Sequence, residues 1–232
     1  MRMRFSLSKK ANRPNLNFPL PRLRSLPRFR LGRLAFFDSE KRILMTQIPS
    51  LSNPPLSFRP AVLADASLIA ALVNSAYRGD SSRAGWTTEA DLISGARTDE
   101  GAVRQLLVEP GSMMLLCLLG DENEIVGSVH LKQTDATSAY LGLFVVKPTL
   151  QGGGIGKRFI LEAERTAQGA FGSTRMWMTV ISVRDELIAY YERRGYRRTG
   201  ELKPFPSDAG ASVPMVKNLQ LEVLEKMLSP GS

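Results

Sequence analysis

Among 232 residues the sequence holds one cysteine, Cys117, so an internal disulfide is excluded and nothing calls for an oxidising compartment. Long apolar runs are also missing. The longest, Met113 to Leu119, falls far short of the roughly 18 to 20 residues that a membrane-crossing helix needs, so no membrane partner is expected. No internal repeat is visible, which sets aside solenoids and propellers. With 43% apolar residues the chain has enough material to bury a core, and a globular domain in a cytoplasmic setting is the expectation.

Acidic residues are absent before Asp38, and this absence reinterprets the net charge of +9. Residues 1–50 carry 12 Lys and Arg against two acids, whereas residues 51–232 carry 19 basic and 20 acidic side chains. The body is near neutral, so the basic surplus says little about what it binds, and nucleic acid ranks last among partners. Residues 1–50 also hold Pro14, Pro19, Pro21 and Pro27 and sustain no helical or strand period, which predicts a disordered tail. Such a tail reads as an extension, as an Arg-rich targeting segment, or as a polyanion-binding arm. An organellar address follows if residues 1–44 are a transit peptide, and Met45 is a natural start if they are an over-extended reading frame. The Pro49–Pro55 linker then opens a domain spanning 51–232.

Within that domain the patterns predict a strand at Leu56–Pro60, then a helix with Leu68, Ile69, Leu72, Val73 and Ala76 at 3.6-residue spacing and Asp65 as its N-cap. A second helix is expected from Thr87 or Thr88, with Asp91 completing a capping box, and a third over about 100–107. Met113–Leu119 and Glu124–Lys132 read as a hairpin, and Tyr140–Val146 as a longer strand. A helix follows with Ile155, Phe159, Ile160, Ala163 and Ala167 inward, then a strand at Arg175–Ser182 and a helix from Asp185 to Arg194 closed by Gly195. Two further strands end the chain. The order predicts an α/β (α+β) mixed sheet, antiparallel in its N-terminal half, with one parallel crossover and helices on both faces.

Between a strand and a helix lies Val146-Lys-Pro-Thr-Leu-Gln151-Gly-Gly-Gly154-Ile-Gly156-Lys157, a glycine cluster whose main-chain N–H groups can converge at a positive helix end and bind phosphate oxygens. A flexible connection is the alternative. A nucleotide P-loop needs glycine where Gln151 stands and Ser or Thr where Arg158 stands. A dinucleotide fingerprint needs glycine at Lys157 or Phe159. Gln151, Gly154 and Gly156 instead match the acyl-coenzyme A signature Gln/Arg-x-x-Gly-x-Gly/Ala.

The stretch from Leu143 to Lys157 resembles motif A of the GNAT acetyltransferase family, and Glu186-Leu-Ile-Ala-Tyr-Tyr-Glu-Arg-Arg-Gly-Tyr196 resembles its motif B. The helix and strand between them match the family's spacing, and the likeness extends from about residue 56 to 228. It implies a GNAT-like fold with a splayed parallel strand pair, acetyl-CoA as co-substrate and no metal. It further implies that the amides of Gln151, Gly152, Gly153, Gly154, Ile155, Gly156 and Lys157 cradle the coenzyme's pyrophosphate. The pantetheine arm would bond to the main chain at Phe144, Val145 and Val146. The Phe144 N–H would face the thioester carbonyl, and Tyr191 would give a proton to the departing thiolate.

Other readings stand beside these. Tyr191 lies at helical spacing with Leu187 and Ile188 and also fits a core aromatic. Arg184 stands where the family often has Asn; it reaches coenzyme phosphate or a substrate carboxylate, or else is an exposed charge at a helix start. Tyr140 occupies the position of a strand glutamate that serves some members as base, so that carboxylate is missing. His130 is either a base acting through water or a structural histidine. Tyr77, Arg78, Trp86, Glu89 and Phe205 are candidates for the acceptor site, with Trp86 and Phe205 walling a pocket and Glu89 holding a cationic amine. The implied reaction is acetyl transfer to a primary amine of a small molecule or protein, by a monomer or a homodimer. The competing class is an acyl-CoA-binding sensory or interaction module without turnover.

Overall fold

A computed structural model describes residues 55–206 and 212–229. The tail predicted over 1–50 and its boundary with the domain lie outside these residues. In chain order the strands are β1 (Leu56–Pro60), β2 (Ile93–Ser94), β3 (Ser112–Leu119), β4 (Glu124–Gln133), β5 (Ser138–Val146), β6 (Arg175–Ile181), β7 (Arg197–Pro204), β8 (Val213–Pro214) and β9 (Gln220–Met227). The helices are α1 (Ala66–Tyr77), α2 (Gly79–Ser82), α3 (Glu100–Val108), α4 (Ile155–Phe171) and α5 (Asp185–Glu192).

Seven strands form one mixed sheet in the order β1-β3-β4-β5-β6-β9-β7, while β2 and β8 form a separate two-stranded ribbon. The first four neighbours are antiparallel, β5 and β6 are parallel, and β9 lies antiparallel between β6 and β7. Helices cover both faces. On one side α1 and α3 bring Ala66, Ile69, Val73 and Val103 onto Met114, Leu116 and Val145. On the other, α4 and α5 bring Phe159, Ile160, Ala163 and Ile188 onto Val126, Val129, Leu141 and Met178. This double cover explains why Met114 to Leu118 is a continuous apolar run with no alternation, since both strand faces are dry.

The spacing of Ile155, Phe159, Ile160, Ala163 and Ala167 sets one stripe of α4 against the sheet, and all five are buried. The Phe159 ring lies 5.8 Å from that of Phe58 and 5.4 Å from that of Phe144, so a Phe159→Ala change would cost about 3–5 kcal/mol. Gly195 closes α5 with φ 89°, while the Gly195 and Tyr196 amides bond back to the Glu192 and Tyr191 carbonyls.

Three local expectations fail for identifiable reasons. No helix starts at Thr87 or Thr88: the Thr88 hydroxyl is shared with Ser82 Oγ at 2.5 Å and accepts the Ala90 N–H, and Asp91 pairs with Arg83. Leu92 and Ile93 then turn over the Glu89 carbonyl, and Ile93 enters the ribbon opposite Pro214. Leu68 points away from the core at 60% exposed, and Ala66 and Ala70 fill the stripe instead. Asp65 holds the N-cap position of α1 but makes no side-chain cap bond there, because its carboxylate accepts from the Val62 amide and from both Arg59 Nη atoms.

Candidate active site

The parallel strands β5 and β6 pair only at Ser138–Arg175, Ala139–Met176 and Tyr140–Trp177. Beyond Tyr140 no β5 residue has a partner on β6, although β6 stays paired with β9 through Ile181. On its other edge β5 carries a bulge: Val145 faces Ser128 and Gly142 faces His130, so Leu143 and Phe144 stand against Val129 alone. Leu143 takes φ 47°, a conformation costing a non-glycine residue on the order of 1–2 kcal/mol, so the bulge stores local strain next to Phe144.

Two cavities flank this point. The larger, about 360 Å3, lies against Val145, Val146, the glycine turn and α5; its lining includes Lys157, Arg184, Arg193 and Arg194 and, among the described residues, no acid. The smaller, about 220 Å3, runs between Tyr140–Phe144 of β5 and Met178–Ile181 of β6. Tyr77, Phe144, Arg184, Leu187 and Tyr191 border both.

The glycine turn is shaped by two different demands. Gly152 and Gly154 need φ values of 86° and 82°, open to glycine and strained for other residues, although a Cβ on either would meet nothing within 4 Å. At Gly156 the demand is space, because a Cβ there would come within 2.7 Å of the Tyr190 hydroxyl. Gly154 opens α4, and the first amides of any helix lack helical acceptors, so Ile155 and Gly156 present donors at the positive end of its dipole.

The loop bearing Trp86 is tied to this turn through a side chain. Gln151 Oε1 accepts the Trp86 N–H at 3.1 Å, while its Nε2 donates to the Val146 carbonyl at 3.0 Å. Gly85 must be glycine for that contact, since a Cβ would fall 2.5 Å from Gln151 Oε1. The Trp86 ring stands 5.6 Å from Tyr190, and the Arg194 guanidinium lies over the Tyr190 ring at 3.2 Å from its centroid.

At the shared wall, Tyr191 is buried and packs edge-on to Tyr190 and Tyr196. Burial first, then neighbouring Tyr77 and Tyr190, hold its phenol well above the usual tyrosine range. Burial likewise pushes Tyr77 up to about 12, and its hydroxyl donates to the Phe144 carbonyl at 3.4 Å. In the smaller cavity Glu89 accepts Arg78 Nη1 at 2.6 Å and Arg184 Nη1 at 2.7 Å; Arg184 Nη2 also reaches Thr87 Oγ1 at 2.8 Å.

The family model for the acetyltransferase (GNAT) family matches residues 71–196, a span that contains the bulge, the glycine turn and α5. The chain belongs to the GNAT acetyltransferase family. Solved GNAT-type structures share the fold. A putative phosphinothricin N-acetyltransferase aligns with TM-score 0.56 at 16% identity over 76% of this chain and 100% of its own. The Vibrio cholerae spermidine N-acetyltransferase, solved with CoA and spermine, aligns with TM-score 0.56 at 14% identity over 74% and 95%. The IAA acetyltransferase of Bacillus cereus aligns with TM-score 0.51 at 13% identity over 75% and 100%. No curated protein sequence matches significantly.

Against the GNAT motifs, the structure gathers Phe144, Val145, Val146, Gln151, Gly152, Gly154, Gly156, Lys157 and Tyr191 around the larger cavity. Gly153 and Ile155 do not line it; Ile155 is the first core residue of α4. Trp86, expected in the acceptor pocket, lies on the larger cavity, because Gln151 anchors its loop there. Arg184 borders both cavities and is buried, which removes the exposed-charge reading. Tyr77, Arg78, Glu89 and Phe205 line the smaller cavity, where each Glu89 oxygen already accepts from a guanidinium group that competes with the cationic amine expected there. His130 lines a third cavity, of about 630 Å3, beside Ser112 Oγ at 2.8 Å; burial lowers its pKa to about 4, and it lines neither of the two cavities beside the strand gap. The Tyr140 hydroxyl instead bridges the strand gap to Thr179 Oγ1 at 3.3 Å. Arg97 lines the smaller cavity unforeseen, because it sits in an aperiodic loop that offers no pattern to read.

Proposed function

We propose that the protein is an N-acetyltransferase that moves the acetyl group of acetyl-CoA to a primary amine by direct attack on the thioester. The parted β5–β6 pair carries this reading, since it sets an anion-receptive cavity and a second, smaller cavity on two sides of one wall. The larger cavity fits the coenzyme. Helix-start amides and the cationic lining suit its phosphates, and the unpaired edge of β5 beyond Tyr140 accepts an extended arm as an added strand.

When bound, acetyl-CoA supplies the activated acyl carbon; the chain positions and stabilises. The Phe144 amide, in the bulge, donates to the oxygen that gains charge as the amine attacks. Tyr191, held protonated by burial, gives its phenolic proton to sulfur as the C–S bond breaks. Among the described residues the smaller cavity holds one carboxylate, Glu89, and it is paired with Arg78 and Arg184 rather than free to act as base. The guanidinium groups around the smaller cavity, where the acceptor enters, disfavour an ammonium there, so the amine attacks neutral, and the proton it sheds returns through solvent to the Tyr191 phenolate and restores the phenol.

A site with no free carboxylate among the described residues equally suits an acyl-CoA-binding module without turnover, and thiol release on mixing acetyl-CoA with a panel of amines separates the two. The transferase reading expects release with at least one amine. It also expects Tyr191→Phe to lower kcat by roughly 10²–10⁴-fold with unchanged acetyl-CoA affinity. Full turnover in that variant would remove Tyr191 from the chemistry.

A further inference from the structure

The acceptor cavity is charged in one direction. Among the described residues its walls hold three guanidinium groups, of Arg78, Arg97 and Arg184, and one carboxylate, Glu89. Glu89 is spent on Arg78 and Arg184, and all three are more than nine-tenths buried. Even so, the Nε–H groups of Arg78 and Arg184 have no acceptor. Arg97 is partly exposed, faces the Tyr77 ring at 5.5 Å and makes no ion pair among the described residues. The other polar groups at this wall, such as the Ser212 hydroxyl that accepts from Arg78 Nη2 at 3.3 Å, bring no negative charge.

A cation surplus in a confined, poorly solvated space is costly until an anion joins it. A polyamine would deepen the surplus, and an acid-bearing molecule would relieve it. Resting on the transferase reading, we propose that the acceptor is a compact amine that also carries an acid group, a carboxylate or a phosphonate. Arg97 binds that group, and the Arg78–Glu89–Arg184 cluster forms the positive wall behind it. Arg97 is thus the specificity-determining residue. The volume of about 220 Å3 admits a molecule of amino-acid size.

The test uses the full chain with acetyl-CoA and matched acceptors: L-phenylalanine against phenethylamine, L-leucine against 3-methylbutylamine, 2-aminoethylphosphonate against ethylamine, and spermidine. Initial rates of thiol release are paired with calorimetric binding of each compound to the protein–CoA complex. The expected result is a kcat/KM at least tenfold higher for the acid-bearing member of a pair. Arg97→Gln should erase that preference chiefly by raising KM, and Arg97→Lys should restore part of it, with melting temperatures unchanged. Preference for the acid-free amines or for spermidine overturns the proposal, as does a preference that survives Arg97→Gln. If acid-bearing compounds bind in an Arg97-dependent way and none is acetylated, the recognition stands and the transferase reading falls. If none of them reacts or binds, the acid-group proposal falls, whatever the other amines do.

Discussion

Replacing Glu89 by Gln leaves two buried arginines facing a neutral amide of the same shape. In the native protein its two oxygens take one N–H each, at 2.6 and 2.7 Å, from side chains with 8–10% relative exposure. Gln offers one acceptor and turns an NH2 group toward the other guanidinium, so one charged hydrogen bond is lost and a donor meets a donor. Breaking a buried pair by removing one partner costs about 3–5 kcal/mol. For a domain of this size, each kcal/mol lowers the melting temperature by about 2–4 °C, which predicts a fall of about 6–20 °C. Thermal unfolding of the full chain, followed by far-UV circular dichroism, reads it directly. A double-mutant cycle with Arg78→Gln should show coupling, the second change costing less once Glu89 is neutral. A fall under about 2 °C would equal that of an exposed surface pair and refute the account of a buried, cation-rich cluster.

Two more expectations concern acid stability and the glycine turn. His130 is neutral in the folded protein, with its pKa lowered from 6.5 to about 4 mainly by burial, so its contribution is complete above about pH 6.5 and is lost as pH falls toward 4. That loss is on the order of 3 kcal/mol. His130→Gln should flatten this part of the stability profile in denaturant titrations from pH 7 to 4, and parallel profiles would contradict it. Gly156→Ala should push Tyr190 from its contacts with Trp86 and Arg194 and weaken acetyl-CoA binding about tenfold, roughly 1.4 kcal/mol by calorimetry; unchanged affinity would show that the tyrosine yields freely.

Where the chain's local pattern and its packing agree, the fold was legible in the residues. The stripe of α4, the glycine stop at 195 and the antiparallel order of the first strands all follow from short-range spacing. The region after α1 was not legible, because its geometry comes from distant partners: Ile93 pairs with Pro214, Trp86 is held by Gln151, and Glu89 meets Arg184. Arg78, Glu89 and Arg184 could each be singled out in the sequence. Their pairing with one another could not, since it joins residues 11 and 95 positions apart in the chain. Arg97 had neither motif nor period to mark it.

The central claim is that the coenzyme occupies the gap where β5 leaves β6, with its phosphates on the amides that open α4. Backbone amide chemical shifts of the isotope-labelled full chain, recorded as acetyl-CoA is titrated in, test this residue by residue. The account predicts that the largest changes fall on Gly152 to Lys157 and on Phe144 to Val146. Saturable binding that leaves those amides unmoved, and shifts others away from both cavities, would contradict it.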